Sequence, residues 1–441
     1  MGHRTLSSNG FGTTTSTATA RHSDAATICA HAGIGSGDGQ PLVTPLCAST
    51  TFCRDGVGSQ AEHQYSRVSN PTVAALEDAL AQLEDAAGSV CFGSGLAAET
   101  ALFLATLRSG DHAVCARSVY GGTTRLIREI FGHLGVESTF VDATDAKAIE
   151  EAVIPGRTKL VFVETPANPT LELTDIRAAA RAARQSGALL AVDNTFLTSV
   201  LQKPLDLGAD VSVYSTTKFI EGHSVATGGA LVSRDPALLE KLRFTRKCTG
   251  GIQAPFNAWE TLRGLKTLAL RVQRQSATAE RVAAWLAERS EIGVVYHPSR
   301  PRDVAQRAIA DRQHLGAKGS RHGAVVTIEL GGEYALATAA AFCRALKLCR
   351  LVEHVGSTET LVTHPATMTH ADVPPEQRAA AGVSDGLVRI SVGLEEPDEI
   401  IADLARGIDA ARAAATGRSG ETGRSGDASS RQRRSPAEVC A

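Results

Sequence analysis

Lys218 stands in the run Tyr214-Ser215-Thr216-Thr217-Lys218-Phe219-Ile220-Glu221-Gly222-His223, with hydroxyl residues one and three positions before it and the apolar stretch Val211 to Tyr214 behind it. A lysine just past a strand can form a Schiff base with an aldehyde, and neighbouring hydroxyls can hold a phosphate. Together they suit a phosphorylated aldehyde cofactor, pyridoxal phosphate. Such a cofactor also needs a carboxylate to keep its ring nitrogen protonated. The candidate lies 25 residues upstream, where the apolar run Leu189-Leu190-Ala191-Val192 ends in Asp193. A buried strand delivering an acid at its end fits that pattern. Read singly, Asp193-Asn194 also fits an ordinary turn, and most lysines are solvated.

Two other motifs compete. Ser215-x-x-Lys218 matches the S-x-x-K of serine acyl-transfer enzymes, but the S-D-N and K-T-G motifs that accompany it there are missing from the chain. Gly93-Ser94-Gly95-Leu96-Ala97-Ala98 follows the apolar Val90-Cys91-Phe92 and matches G-x-G-x-x-A of dinucleotide folds. The ribose-binding acid of those folds ends the next strand. Asp111, 18 residues beyond Gly93, instead precedes the apolar run His112-Ala113-Val114-Cys115. What remains is an anion cradle of glycine amides at a helix start, which serves any phosphate.

Seven motifs in order make the chain resemble the transsulfuration (Cys/Met metabolism) family of pyridoxal-phosphate enzymes, and within it the cystathionine γ-synthases and γ-lyases. They are Tyr65-Ser66-Arg67 with Asn70-Pro71-Thr72; Ser94-Gly95-Leu96-Ala97; Tyr120-Gly121-Gly122-Thr123; Glu164-Thr165-Pro166-Ala167-Asn168-Pro169; Asp193-Asn194-Thr195; Ser215-x-Thr217-Lys218; and Arg389-Ile390-Ser391-Val392-Gly393-Leu394-Glu395. The resemblance runs from about residue 26 to 412. It implies an α/β fold of the fold-type I pyridoxal-phosphate transferase kind, with a large, mostly parallel sheet and a smaller α+β C-terminal domain.

The resemblance also implies roles. Lys218 forms the Schiff base and, once displaced, moves protons between carbons; Asp193 pairs with the ring nitrogen; Tyr120 stacks on the ring and shares in proton transfer. Ser215, Thr217 and the amides of Gly95 and Leu96 hold the phosphate. Tyr65 and Arg67 reach the phosphate of a neighbouring subunit, so the active form is at least a dimer and, by the same resemblance, a tetramer. Arg389 takes the substrate α-carboxylate, and Asn168 supports the cofactor's ring oxygen or that carboxylate. For Arg389, Val388-Arg389-Ile390-Ser391-Val392 alternates, so the arginine faces away from its apolar neighbours.

Members of the family run β-elimination, γ-elimination and γ-replacement on one cofactor site. Position 122 is glycine, where methionine γ-lyases carry a reactive cysteine, and Glu353 matches a glutamate that faces the distal part of the substrate in cystathionine γ-lyases and γ-synthases. Both favour γ-chemistry of the cystathionine kind on an amino-acid substrate over methionine cleavage, which places the chain in sulfur amino acid metabolism. One departure stands out: relatives read Ser-Leu-Gly-Gly before a Glu-Thr-Leu triplet, whereas His354-Val355-Gly356-Ser357-Thr358 precedes Glu359-Thr360-Leu361 here. His354 thus takes the place of a serine beside the substrate carboxylate. That suggests a pocket reshaped for a non-standard amino acid, for example a γ-halogenated one. A reading of another class is a catalytically silent homologue that binds partners; intact Lys218, Asp193, Tyr120 and Arg389 argue against it.

The elements that must position these residues follow from periodicity. Pro71 to Glu84 reads as a helix with Val73, Leu76, Leu80 and Leu83 on one stripe. Lys159 to Val163, Leu189 to Val192 and Val211 to Tyr214 read as buried strands separated by helices, which predicts a mostly parallel sheet. Asn168, Asp193 and Lys218 each follow such a strand, where α/β folds bind ligands. A helix over Ala277 to Glu288 and strands over Gly323 to Leu330 and Leu387 to Val392 predict a smaller domain. The expected boundaries are a tail over 1–25, an arm over 26–70 that reaches a neighbouring subunit, a cofactor-binding domain over 71–269, a C-terminal domain over 270–412 and a basic tail over 413–441.

Composition sets the outer limits. A chain of 441 residues, 43% apolar, can bury a large core. A net charge of -2 gives no general attraction to nucleic acid or membrane surface, and no apolar run approaches the ~20 residues that span a bilayer. Nine cysteines without C-x-x-C spacing suit reduced thiols in a cytoplasm, with Cys91, Cys115 and Cys343 as small core residues and no metal required. The first residues, rich in Ser, Thr and Gly, read as a disordered tail and only weakly as a transit peptide. The segment from Ala413, with Gly-Arg-Ser-Gly repeats and Arg431-Gln432-Arg433-Arg434, lacks the apolar content to fold.

Overall fold

The computed structural model describes residues 24–417 apart from 36, 316–321, 332–334, 372 and 374. The tail expected over 1–25, except its last two residues, and the basic segment beyond 417 lie outside the described residues.

Seven strands form the larger sheet: β1 (Gly88–Phe92), β2 (His112–Ala116), β3 (Glu137–Val141), β4 (Thr158–Glu164), β5 (Leu189–Asp193), β6 (Val211–Tyr214) and β7 (Gly229–Ser233). Their order is β1-β7-β6-β5-β4-β2-β3. Pairs β2–β3, β2–β4, β4–β5 and β5–β6 are parallel, and β7 alone runs against its two neighbours. The central strands are apolar at nearly every position because helices cover both faces. Phe162 of β4 packs edge-on against Phe103, which does the same to Phe131, at 5.6 and 5.4 Å between centroids. Burying each such ring contributes about 1.5–3 kcal/mol.

Helix starts carry their own signals. Asn70 accepts from the Thr72 amide at 2.9 Å just before Pro71, the first residue of the helix Pro71–Leu83. Ser94 does the same for Ala97 at 3.1 Å, opening the helix Gly95–Thr106 directly after β1. Side-chain caps of this kind satisfy amides that the helix leaves without partners.

The smaller sheet holds β8 (Ile292–Tyr296), β9 (Val325–Leu330), β10 (Arg350–Leu351), β11 (Leu361–Thr363) and β12 (Leu387–Ser391), in the order β10-β11-β12-β9-β8. Along β12, Val388 and Ile390 join a core with Phe342, Ile400 and Leu404. Arg389 points the other way, toward the ends of β4 to β6, and is itself buried.

The strand expected from Gly323 begins at Val325, and two helices differ more widely from expectation. The helix expected over 277–288 runs Leu268–Leu286. Its first half is interrupted in sequence by Arg271, Gln275 and Ser276, polar residues that are buried and bind backbone groups distant in sequence. The final helix, Pro397–Gly417, continues through residues 413–417, where a tail was expected to begin. Ala413-Ala414-Ala415 are strong helix formers and extend it. No helix of the described residues is long and apolar enough to cross a membrane.

Candidate active site

Asp193 closes β5, in register with Glu164 of β4 and Val213 of β6. The Thr195 amide donates to its carboxylate at 2.8 Å, and the Thr195 hydroxyl accepts from the Ser215 amide at 2.8 Å. Thr195 therefore ties the end of β5 to the turn that carries Lys218. Burial raises the Asp193 carboxyl above its ordinary range, against the hydrogen bonds of Thr195. Two buried acids surround it. Burial and then the charge of Asp193 push Glu99 up to about 8 and hold Glu164 well above the carboxylate range. Negative charge in this cluster thus settles on Asp193. A buried carboxylate without a cation is costly, and a protonated ring nitrogen is the partner that would relieve it.

Lys218 follows β6 by four residues. Its amine is largely buried, and burial followed by the nearby charge of Arg389 lowers its pKa to about 8, with Glu353 opposing. Such an amine is neutral in a useful fraction near neutral pH, as Schiff-base chemistry requires. The turn beyond it is clamped by Arg271, whose guanidinium donates to the carbonyls of Phe219 at 2.8 Å, Ile220 at 3.2 Å and Gly264 at 2.8 Å.

The start of the helix Gly95–Thr106 lies against Ser215. A Cβ at Gly95 would stand 2.9 Å from the Ser215 Cβ, so only glycine lets the two backbones meet. Among the described residues the Gly95 and Leu96 amides make no hydrogen bond, as expected for first-turn donors. With the Ser215 hydroxyl beside them they form a cradle for an anion. The Thr217 hydroxyl is engaged elsewhere, donating to the Gly228 carbonyl at 3.1 Å and accepting from the Gly228 amide at 2.9 Å. The donors, the carboxylate and the amine together fit pyridoxal phosphate.

Tyr120 is positioned by its backbone. The Glu164 carboxyl accepts from the Tyr120 amide at 2.7 Å and from the Asn168 amide at 2.9 Å. Burial raises the phenol of Tyr120, so it holds its proton at neutral pH. The ring lies over Gly122, where a Cβ would come within 2.5 Å of Tyr120 Cε1 and 3.0 Å of Leu96 Cδ1.

Arg389 completes the group from the smaller sheet. It donates to Asn168 Oδ1 at 2.8 Å, to the His354 carbonyl at 2.9 Å and to Thr363 Oγ1 at 2.9 Å. Its Nε is buried without a partner. Among the described residues it forms no salt bridge, so its charge is open to a carboxylate from outside the chain. Glu353 is exposed, and its charge acts on Tyr120, Lys218 and Arg389.

His354 meets Lys218 directly, with Nδ1 at 3.3 Å from the amine nitrogen. Gly356 makes this approach possible: its φ is +86°, and a Cβ there would sit 2.6 Å from the Phe219 amide nitrogen and 2.9 Å from the Lys218 carbonyl carbon. The loop is pinned by the Gly356 amide donating to Ser391 Oγ at 2.9 Å and by the Gln275 amide group donating to the Ser357 carbonyl at 2.7 Å.

Tyr65 and Arg67 stand apart from this group. Arg67 donates to the Lys247 carbonyl at 2.5 Å and lies over the Tyr65 ring at 5.5 Å, and Tyr65 is exposed. Among the described residues neither is hydrogen-bonded to the Lys218 cluster. Sequence reasoning assigned no role to Glu164, Thr195, Arg271 or Thr363. The first two lie inside quoted motifs; Arg271 and Thr363 carried no signal.

Residues 26–409 match the family described as Cys/Met metabolism PLP-dependent enzyme. The cystathionine gamma-lyase of Bacillus subtilis is 37% identical over 384 residues, covering 87% of this chain and 98% of that protein. The cystathionine gamma-synthase of Mycobacterium tuberculosis is 42% identical over 366 residues, 82% of this chain and 91% of its own. Among solved structures, cystathionine gamma synthase from Xanthomonas oryzae pv. oryzae in complex with cystathionine superposes with a TM-score of 0.84 at 39% identity, over 88% of this chain and 99% of that one.

Proposed function

Because the chain belongs to the Cys/Met metabolism family of PLP-dependent enzymes, we propose that it catalyses γ-elimination or γ-replacement on an amino acid with a leaving group on its γ-carbon. The observation that carries this reading is the convergence of an amine, the buried carboxyl of Asp193 and a buried guanidinium with a free Nε at one place. Similarity alone does not choose between exits, since a lyase and a synthase match about equally well.

Bound here, pyridoxal phosphate would supply an electron sink for the pair left when a proton leaves the substrate. Asp193 would face the ring nitrogen, and Ser215 with the Gly95 and Leu96 amides would hold the phosphate. Thr217 would join them by releasing the Gly228 carbonyl. Arg389 would bind the α-carboxylate through Nε, with Asn168 fixing the guanidinium. Lys218 Nζ would accept the α-proton, return it to the bound substrate–cofactor adduct, and only then accept a β-proton, since a useful fraction of its amine is neutral near neutral pH. Tyr120 Oη, kept protonated by burial, would donate to the departing γ-group. Glu353 would meet the distal end of the substrate, which sits between the part spanning 71–269 and the part spanning 270–412.

A second copy would complete the site through its Tyr65 and Arg67. In support, the segment carrying them exposes Ile34, Leu42, Val43, Leu46 and Tyr65, more apolar surface than an isolated arm retains. Mixing Arg67→Ala with Lys218→Ala subunits tests this, since shared sites regain one intact pair and recover activity, whereas self-contained sites stay dead.

His354 favours a second reading, a γ-lyase for a non-standard amino acid such as a γ-halogenated one. The deciding experiment is a visible spectrum of purified protein, followed by cystathionine, O-succinylhomoserine and a γ-halogenated amino acid in turn, with 2-oxo acid release and thiol incorporation measured. Turnover of either sulfur-pathway substrate supports the first reading, and turnover of the halogenated compound alone supports the second. Absence of a cofactor band, or a band that persists in Lys218→Ala, overturns both.

A further inference from the structure

His354 occupies an unusual position for an imidazole. Its Nδ1 is 3.3 Å from Lys218 Nζ, its carbonyl is bound by Arg389 at 2.9 Å, and its Nε2 is buried without a hydrogen-bond partner. The charged groups facing it are Lys218 from the turn after β6 and Arg389 from β12. Glu353, the neighbouring residue, acts on both of these. Burial and the two cations lower the His354 pKa to about 4, so the ring is neutral at working pH. A lysine ammonium can only donate. While the lysine is an ammonium, Nδ1 is therefore the acceptor and the proton of the neutral ring lies on Nε2.

We propose that His354 is a positioning residue for the amine of Lys218: Nδ1 accepts one N–H of that amine whenever the lysine is free of cofactor, and so fixes where its lone pair points. The inference rests on Lys218 being the proton-moving amine. The free amine gives one N–H to Nδ1 and presents its lone pair to the substrate carbon. On accepting a proton it becomes an ammonium still held by Nδ1, and it returns that same proton later. His354 neither gains nor loses a proton in the exchange. The second nitrogen, Nε2–H, is a buried donor open to an acceptor atom of the substrate.

The test compares His354→Leu, which keeps volume and removes the acceptor, with His354→Asn, which restores an oxygen near the position of Nδ1. The first measurement is competitive amine labelling of Lys218 against pH in cofactor-stripped full-length protein, read by mass spectrometry. It needs no substrate. An acceptor stabilises the ammonium, so the labelling midpoint falls by about one pH unit in the Leu variant and recovers in the Asn variant. The second is steady-state turnover of reconstituted protein. The Leu variant is expected to lose about 10- to 100-fold in kcat with little change in KM, and the Asn variant to regain most of it.

A midpoint unmoved by Leu, or an Asn variant that behaves like Leu, overturns the proposal. Should the Leu variant not fold, His354→Gln serves in its place, since its amide oxygen reaches past Nδ1; a midpoint that stays put in Gln likewise overturns it. If labelling shifts as expected but Lys218→Ala still binds cofactor covalently, the contact stands and the assignment of Lys218 as the reacting amine fails instead.

Discussion

Replacing Glu164 by Gln isolates one structural device from the chemistry around it. Both carboxyl oxygens of Glu164 accept amides, Tyr120 at 2.7 Å and Asn168 at 2.9 Å, in a buried setting. A carboxyl that keeps its proton still offers each amide an oxygen lone pair, whereas glutamine replaces one of those oxygens by an NH2 that confronts an N–H. One buried amide is then left without a partner, at a cost of about 1–3 kcal/mol, and alanine would leave two. Those amides belong to the residue whose phenol lies over Gly122 and to the residue that fixes Arg389. Part of the loss therefore appears as misplacement instead of lowered stability. The expected result is a fall in kcat/KM of about 10- to 100-fold, with the cofactor band retained because Lys218 and Asp193 are untouched. The assay is steady-state turnover of the substrate identified by the first screen, alongside urea denaturation followed by circular dichroism. If Glu164→Gln kept both kcat/KM and the denaturation midpoint within error of the parent, the two amides would not depend on this carboxyl and the reasoning would fail.

Arg389→Lys keeps a charge but cannot span Asn168 Oδ1, the His354 carbonyl and Thr363 Oγ1 at once; KM for the amino acid should rise about 10- to 100-fold with the cofactor spectrum intact, and an unchanged KM counts against carboxylate binding there. Gly356→Ala forces a Cβ to 2.6 Å from the Phe219 amide nitrogen at a φ of +86°; the strained conformation alone costs about 1–3 kcal/mol, so Tm should drop and the Lys218–His354 contact should loosen, and an unaltered Tm in differential scanning fluorimetry would contradict the packing. Glu99 binds its proton more tightly folded, at about 8, than at its ordinary 4.5. Its contribution to stability is therefore complete below about 4.5 and is lost as pH rises toward about 8, at a slope of at most about 1.4 kcal/mol per pH unit. Glu99→Gln should remove that slope, and a parallel pair of stability–pH curves between these limits would refute the assignment.

How much of this could be read beforehand varies with the kind of signal. The strands β4, β5 and β6 were legible because uninterrupted apolar runs of four or five residues leave little other choice in an alternating α/β pattern. Residues closing or following those runs were legible with them, and so was the outward face of Arg389, through the alternation of β12. Family membership was legible from motifs, not from composition. The helix Leu268–Leu286 was half hidden, because Arg271, Gln275 and Ser276 look like a solvated face until their backbone partners, which lie 52, 82 and 46 residues away, are known. The double grip of Glu164 was hidden for the same reason: a side chain that serves two amides has no spacing signature. The extent of the last helix was missed because Ala413-Ala414-Ala415 adjoin a Gly-Arg-Ser segment and were grouped with it.

The loop around Gly356 has a consequence for synthesis and assembly. Lys218 and His354 are 136 residues apart in sequence, and Asn168 and Arg389 are 221 apart. When a growing chain has released β1 to β7, Lys218, Asp193, Ser215 and the Gly95 and Leu96 amides are all present, whereas Arg389 has not yet been made. Contacts of this range form late, because loop closure opposes them. The elements that position Lys218 and Asp193 are thus complete in a growing chain before the one that carries Arg389 is made.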